Sequence, residues 1–193
     1  MDYRKIIFKF RSYTPLPIII PLIYCSFLKS PYYWIGLVFI LIGESIRFLS
    51  VRYAGGVTRT RKVGAPKLCT AGPYAYTRNP LYIGNVIIYF GFVFFSGGNY
   101  ILELAFGVLI FFIFQYASII SLEEETLSQL FSKDYDEYKK NVPRVLPRLT
   151  KWENCDDRIP NSLKKTFLNE KRTLQNIFIL ISIITIKAYL TTS

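Results

Sequence analysis

The chain has 193 residues, a formal net charge of +11 and no histidine, and 51% of its residues are hydrophobic. That length predicts one domain. Without histidine the commonest metal ligand is absent, and the three cysteines are far apart, so we expect reduced thiols and no metal site. The apolar residues are bunched into long blocks, which is typical of an integral membrane protein.

Five apolar segments predict an all-α, multi-pass transmembrane helical bundle of about five membrane helices. They cover residues 13–28, 32–50, 81–95, 100–120 and 177–190. The second and fourth are long enough to cross a hydrocarbon layer of ~30 Å. The first holds Pro15, Pro17 and Pro21, and the third and fifth are short, so we expect these three to be tilted, kinked or partly inserted. We divide the chain into a membrane domain, 1–150, and a C-terminal polar linker with an amphipathic or membrane helix, 151–193.

Basic residues predict the orientation, because short loops rich in Lys and Arg stay on the cytoplasmic side. They precede the first span, follow the fourth, and lie between the second and third, where the loop includes Arg59, Arg61 and Lys62. The connections "LKSPYY" and "SGGNY" carry one Lys between them. We therefore predict a cytoplasmic N-terminus, with both large polar segments on that side. We attribute the positive net charge to residues that set the membrane orientation and face lipid head groups. Nucleic-acid binding would need a soluble basic surface, and the sequence shows none.

The polar segments predict the remaining organisation. No cleavage site for a signal peptide follows the first apolar stretch. Residues 51–74 are glycine-rich and predict a cytoplasmic loop. Apolar residues at near-helical spacing after the fourth span predict an amphipathic helix that leaves the membrane and ends before Pro143. Further along, Asn161 and Ser162 are both suitable N-caps for a final helix.

The stretch "GPYAYTRNPLYIGN", residues 72–85, crowds three tyrosines, an arginine and two asparagines onto the start of the third span. Asn79 followed by Pro80 predicts a capped helix start. Taken singly, these residues are explained as a cap, interfacial anchors and positive-inside charge. Together, the backbone N–H groups of a helix start, the Arg78 guanidinium and flanking aromatic rings indicate a site for a ligand that carries a carboxylate.

Three adjacent carboxylates, Glu123, Glu124 and Glu125, follow the fourth span on the same predicted side. An exposed acidic turn is one interpretation, and a binding role is the other. Carboxylates and tyrosines opposite an arginine suit a zwitterionic, cationic cofactor. Glutamate accepts hydrogen bonds from ribose hydroxyls or an ammonium group, and tyrosine rings can face a cationic centre. S-adenosylmethionine presents all of these groups.

These two stretches resemble the motifs of the isoprenylcysteine carboxyl methyltransferase and phospholipid methyltransferase group. "GPYAYTRNPLYIG" is similar to its motif G-P-Y-x-x-x-R-[HN]-P-x-Y-x-G. "EEETLSQLFSKDYDEYKKNVPRVLP" is similar to its second motif, with Glu123 and Glu124 at the paired acidic positions. The resemblance covers residues 35–147 and implies a membrane methyltransferase that binds S-adenosylmethionine on the cytoplasmic side and takes a lipidic substrate from the bilayer. Asn79 stands where many members have histidine, and Ser132 where they often have glycine.

The resemblance implies cofactor contacts at eight positions: Gly72, Pro73, Tyr74, Arg78, Asn79, Tyr82, Glu123 and Glu124. It places Arg144 near the reacting end, so that Arg144 and Glu124 are the catalytic candidates. The implied reaction is in-line displacement of a methyl group from sulfonium, which needs alignment and exclusion of water more than proton transfer. The lack of histidine favours an acceptor that is already anionic, such as a prenylcysteine-like carboxylate, although Glu or Tyr can also act as a base.

Glu44 and Arg47 lie one helical turn apart inside the second span. Their structural interpretation is a buried ion pair that fixes helix packing, and the functional one is binding of an anionic substrate head group by Arg47. Two other function classes stay open, a membrane NADPH-dependent reductase of the sterol-reductase type and a non-enzymatic membrane scaffold. "RNPLY" and the acidic pair speak against the reductase, whose typical pattern is R-H-P-N-Y.

Overall fold

Helices account for the regular structure in the part of the chain that the computed structural model describes, residues 2–56 and 63–192. They are α1 (Tyr3–Phe10), α2 (Leu16–Tyr24), α3 (Tyr32–Ala54), α4 (Pro80–Ser96), α5 (Ile101–Asn141) and α6 (Leu163–Thr192). A 3-10 turn at Gly72–Ala75 precedes α4. The all-α prediction is confirmed. The predicted loop residues Arg59, Arg61 and Lys62 lie outside the described residues.

Three of these helices, α3, α5 and α6, are long and apolar enough to cross a membrane, and α4 is a shorter apolar helix. The first predicted span corresponds to α2, which has only nine residues. At 1.5 Å per residue it rises about 14 Å, roughly half of the hydrocarbon thickness. Pro21 inside α2 removes a helical hydrogen bond and opposes a longer helix. The multi-pass helical architecture is confirmed, with a short helix in place of the first span.

α3 and α4 pack as an antiparallel pair on a seam of glycines. A Cβ added to Gly36 would lie 2.6 Å from the carbonyl oxygen of Gly91, and one added to Gly43 would lie 2.7 Å from that of Gly84. The glycines recur every seven residues on both helices, or about two turns, so each pair lies on one face. The two backbones therefore touch directly, as small residues allow between membrane helices.

The acidic cluster lies inside a helix, because α5 continues past it to Asn141, with a kink at Ser132. The predicted fourth span and the predicted amphipathic helix that leaves the membrane both lie in α5. Its single departure from helical backbone is at Ser132, with φ 40° and ψ −111°. That left-handed φ favours glycine, which is the residue that the second motif often has there. The polar half of α5 is held by a second apolar cluster in which Tyr138 and Trp152 are buried.

The two predicted caps of the last helix have different roles. The Lys165 backbone N–H donates to the Ser162 hydroxyl over 3.4 Å, so Ser162 caps α6. The backbone N–H of Asn161 and its side-chain Nδ2 both donate to the carbonyl of Arg52, over 2.7 and 3.0 Å. Asn161 therefore ties the start of α6 to the end of α3.

Candidate active site

The two motif segments form one unit, because the chain after α5 lies against the chain before α4. The Arg78 backbone N–H donates to the carbonyl of Pro143, and the Arg148 N–H donates to that of Tyr76, each over 2.9 Å. The Thr77 hydroxyl adds a bond to the carbonyl of Val145 over 3.0 Å. These bonds hold the segment before α4 against the segment after α5, although the two are far apart in the sequence.

Glu124 is the centre of this unit, with only 6% of the residue exposed. Its Oε1 accepts hydrogen bonds from Nε and Nη2 of Arg78, over 3.0 and 2.8 Å. Its Oε2 accepts one from Nη2 of Arg144. Two guanidinium groups thus share one buried carboxylate, which compensates the cost of burying its charge. The structure thus brings together Glu124 and the two arginines, which the sequence analysis singled out.

The two arginines differ in what they can still bind. Nη1 of Arg78 donates to the carbonyls of Lys139 and Val142, over 3.0 and 2.7 Å, so this guanidinium also satisfies the last carbonyls of α5. Four of its five N–H groups are engaged within the protein. Arg144 is 51% exposed in its side chain, and its guanidinium contacts only Glu124 among the described residues. Arg144, rather than Arg78, therefore has donors available for a ligand carboxylate.

Asn79 occupies the N-cap position of α4, but its side chain makes no capping bond. Its Nδ2 instead donates to the carbonyl of Arg144 over 3.0 Å. The prediction of a side-chain cap is wrong, because the amide faces the segment after α5 rather than the first turn of α4. Pro80 is the first helical residue, as predicted, and the backbone carbonyl of Asn79 accepts from the N–H of Tyr82 over 3.2 Å.

The three adjacent glutamates have three different partners, because successive side chains turn by about 100° around a helix. Glu123 accepts a hydrogen bond from the hydroxyl of Tyr82 over 3.0 Å. Glu124 binds the two arginines described above. Glu125 is 52% exposed and pairs with Arg4 of α1 over 2.9 Å. Only Glu123 and Glu124 face the joined motif segments, and the interpretation of the cluster as an exposed turn is wrong.

Backbone and aromatic contacts fix the 3-10 turn. Gly72 has a φ of +60°, and a Cβ on it would lie 2.4 Å from the ring of Tyr53, so this position requires glycine. Pro73 opens the turn, as its fixed φ allows. The carbonyl of Tyr74 accepts a hydrogen bond from the hydroxyl of Tyr138 over 2.7 Å. Burial raises the pKa of the Tyr74 phenol well above its usual value, so Tyr74 offers a neutral ring and hydroxyl.

The nearby thiol does not supply a nucleophile. Burial raises the pKa of Cys69 to about 11, because an apolar environment disfavours the thiolate. At neutral pH this thiol is uncharged. The chemistry of the site therefore depends on its carboxylates, guanidinium groups and phenols.

Arg47 lies in a separate buried network that joins α3, α4 and α6. Its Nη2 donates to Glu170 and Thr173 of α6, over 2.9 and 3.2 Å, and its Nη1 donates to Asn85 of α4. Its Nε lies 3.7 Å from Glu44. With so many of its donors directed to these partners, the geometry favours the structural interpretation of Arg47 over binding of a substrate head group.

The sequence reasoning did not find Glu170 or Tyr138. Glu170 is fully buried, and together with Thr173 it presents two polar groups on one face of α6 at a spacing of three residues. That spacing is the signal that was available. Tyr138 is one of the motif tyrosines, but its bond to the carbonyl of Tyr74 depends on tertiary packing.

Comparison with known proteins agrees with the motifs. A model of the phospholipid methyltransferase family matches residues 31–134, more than half of the chain. The chain belongs to this family. The match runs from the residue before α3 into the polar half of α5 and includes the first motif and the acidic pair.

The curated relatives of this family member include isoprenylcysteine methyltransferases. It is 29% identical over 126 residues to the protein-S-isoprenylcysteine O-methyltransferase of Schizosaccharomyces pombe, covering 63% of this chain and 52% of that protein. It is 33% identical over 129 residues to protein-S-isoprenylcysteine O-methyltransferase B of Arabidopsis thaliana, covering 60% of this chain and 61% of that protein. The chain thus spans about half to three fifths of the length of these relatives.

A third relative carries a different name. The chain is 32% identical over 84 residues to the nickel-cobalt-cadmium resistance protein NccN of Alcaligenes xylosoxydans xylosoxydans, covering 44% of this chain and 38% of that protein. No solved structure matches the chain. The comparisons therefore show a methyltransferase family, within which the relatives differ in their named roles.

Proposed function

We propose that this protein is an integral-membrane methyltransferase that transfers a methyl group from S-adenosylmethionine to a hydrophobic or lipid-linked acceptor. The observation that carries the proposal is the buried Glu124 carboxylate shared by Arg78 and Arg144, in a chain that belongs to a methyltransferase family. This unit joins both family motifs at the ends of apolar helices. A reductase is not supported, since the family match concerns methyl transfer.

The side chains at the site fit S-adenosylmethionine. The half-exposed guanidinium of Arg144 complements a carboxylate, which it can grip with its remaining donors. Glu123 offers acceptor capacity for ribose hydroxyls or an ammonium group. The ring of Tyr82 is half-buried and can face a cationic centre.

The residues have distinct tasks in the proposed reaction. When bound, S-adenosylmethionine supplies an electrophilic methyl group on a positively charged sulfur. Arg78 and Glu124 fix the two motif segments relative to each other, and Glu124 orients Arg144 toward the ligand. The Tyr82 hydroxyl orients Glu123. Burial of this face excludes water, so that alignment accounts for much of the acceleration.

We propose a prenylcysteine-like carboxylate as the acceptor. Two features support it: the chain has no histidine to deprotonate an ammonium group, and the relatives from yeast and Arabidopsis are isoprenylcysteine O-methyltransferases. A carboxylate reaches the site already anionic. A phospholipid amine would need to lose a proton first, for which Glu123 is the carboxylate placed at the site.

The cofactor assignment is tested by titrating the purified protein with S-adenosylmethionine and, separately, with NADPH. We expect binding of the first only. Arg144→Ala should weaken this binding roughly ten- to a hundred-fold, the effect of losing a charge-assisted hydrogen bond of ~1.5–3 kcal/mol. Arg148→Ala is the matched control, because among the described residues its guanidinium has a single hydrogen-bond partner, the exposed carbonyl of Asn141. Binding of NADPH instead, or equal affinity in both variants, would overturn the assignment.

We also propose that the N-terminus and the site face the cytoplasm. The distribution of basic residues supports this orientation. The Arg4 pair with Glu125 supports it further, because it places the N-terminal helix beside the same part of α5 as the acidic pair. Single cysteines introduced at Asn99 and at Lys67 should be labelled by an impermeant thiol reagent from opposite sides of the membrane. Labelling of both from the same side would contradict this topology.

A further inference from the structure

The chain between α5 and α6, residues 143–161, runs back alongside the chain between α3 and α4. We call residues 143–161 the strap. Hydrogen bonds join the two connections in antiparallel order, pairing Pro143 with Arg78, Arg148 with Tyr76, Trp152 with Ala75, Asp156 with Thr70, Arg158 with Leu68, and Asn161 with Arg52. The strap lies beyond the residues that the family model matches. Its residues after Pro147, 148–161, also lie beyond both motifs.

Three hydrogen bonds join Asp156 and Thr70. The Oδ2 of Asp156 accepts from the backbone N–H of Thr70 over 2.9 Å and from its hydroxyl over 3.3 Å. In return, the Asp156 N–H donates to the Thr70 hydroxyl over 2.7 Å. Thr70 is buried, and the other carboxylate oxygen accepts from the N–H of Arg158 over 2.9 Å. One aspartate thus fixes both the backbone and the side chain of Thr70.

We call the hydrogen bonds between Asp156 and Thr70, together with those of Arg158, the clamp. Arg158 connects it to the residues beneath the 3-10 turn. Its Nη2 donates to the carbonyl of Leu68 over 2.9 Å, and its Nη1 donates to that of Tyr53 over 3.4 Å. The Tyr53 ring is the surface against which Gly72 packs. Arg158 therefore holds both the chain that leads into the turn and the residue on which the turn rests.

The segment from Thr70 to Arg78 carries much of the proposed cofactor face, but its regular structure is a single four-residue turn. At its far end, Arg78 is fixed by Glu124. At its near end, the fixed point is the contact of Thr70 with Asp156. The middle is held as well, because the carbonyls of Tyr74, Ala75 and Tyr76 accept hydrogen bonds from Tyr138, Trp152 and Arg148. Loss of the Asp156 contact should therefore loosen first the part next to Thr70, which includes Gly72 and Pro73 of the proposed face.

We infer that Asp156 is a positioning residue, which through Thr70 and with the support of Arg158 holds residues 70–78 in the geometry that binds the cofactor. The inference rests on the proposed function. It extends the site to the strap, beyond the motifs. Asp156 itself touches no reacting atom, so its loss should affect cofactor binding rather than the chemical step.

Asp156→Ala tests the inference, with Asp157→Ala as the matched control. Asp157 is exposed, and no hydrogen bond or ion pair joins its side chain to a described residue. In the full-length protein in detergent, we expect Asp156→Ala to accelerate hydrogen exchange in residues 68–78 without changing exchange in the apolar part of α5. The KM for S-adenosylmethionine should rise about tenfold, the typical effect of one charge-assisted hydrogen bond, with kcat changed by less than about twofold.

Variants of Thr70 test the same inference if Asp156→Ala does not fold. Thr70→Val removes the hydroxyl and should reproduce the effect in part, whereas Thr70→Ser keeps the hydroxyl and should behave like the wild type. In the double variant, Thr70→Val should add little to Asp156→Ala, because the two residues act as a unit. Additive effects would overturn the inference.

The exchange measurement separates this inference from the proposed function. If the wild type binds no S-adenosylmethionine, the proposed function fails, and faster exchange in residues 68–78 of Asp156→Ala still supports the clamp. If the wild type binds but both aspartate variants exchange and bind alike, the clamp is refuted while the proposed function stands. A uniform loss of protection across all helices would also refute it, since it would show general destabilisation.

Discussion

Replacing Glu124 with glutamine removes the charge at the centre of the site while keeping the shape of the side chain. Arg78 and Glu124 are each 8% exposed in their side chains and share two hydrogen bonds, so this pair is buried. Breaking a buried pair by removing one partner costs ~3–5 kcal/mol. Glutamine retains one acceptor oxygen, and the half-exposed Arg144 adds little after screening by solvent. We therefore expect a loss of about 3 kcal/mol, or roughly 6–12 °C in Tm for a chain of this size.

Glu125→Gln is the matched control, because it changes the neighbouring residue of the same helix. Its partner Arg4 also binds Asp2, and the pair is exposed, so we expect no measurable change in Tm. Thermal unfolding and affinity for S-adenosylmethionine are measured on the same preparations in detergent. Glu124→Gln should lower both, since it also releases Arg144. Equal, small effects in the two variants would refute the assignment of Glu124 as the centre of the site.

Three further predictions concern packing and the helix start. Gly43→Leu should prevent close packing of α3 and α4 and abolish the monodisperse protein peak in size-exclusion chromatography. Gly107→Leu should be tolerated, because in the described part of the chain no atom outside its own helical turn lies within 4 Å of a Cβ there. Glu170→Ala should destabilise the protein by ~3–5 kcal/mol in denaturant titrations by leaving the Arg47 charge buried, and an undiminished midpoint would contradict this. Asn79→Ser and Asn79→Ala should lower stability equally, by ~1 kcal/mol, because neither side chain reaches the carbonyl that the amide binds; a stable serine variant would restore the capping role.

The sequence predicted helix positions well where hydrophobicity determines them. It predicted them poorly where other interactions do. The bounds of α3 and α4 lie close to the predicted spans, because apolar blocks in a membrane must be helical to satisfy their backbone. α5 continues well beyond its apolar part, since a helix does not end where charged residues begin. Its only non-helical backbone, at Ser132, depends on one φ angle that composition does not report.

The site shows the same division between local and tertiary information. Glu123 and Glu124 separate from Glu125 by helical geometry alone, which the motif positions already indicated. The choice of partners required the tertiary structure: Arg78 was predicted to hold a ligand and is found mainly holding α5. Glu170 was missed because its partner, Arg47, lies 123 positions away in the sequence. The spacing of Glu170 and Thr173 marks a polar face on α6, but no local pattern identifies Arg47 as the partner.

Analysis of the methylated product tests the central claim most directly. The purified protein is incubated with S-adenosylmethionine labelled in its methyl group, together with an S-farnesylated cysteine or with phosphatidylethanolamine, and lipid extracts are analysed by mass spectrometry. We predict a labelled methyl ester of the farnesylated cysteine that releases methanol in base. Label that stays on nitrogen after base treatment would show that the acceptor is the amine of phosphatidylethanolamine. The absence of label from every lipid, in a preparation that is folded, would contradict the proposal that this protein is a membrane methyltransferase.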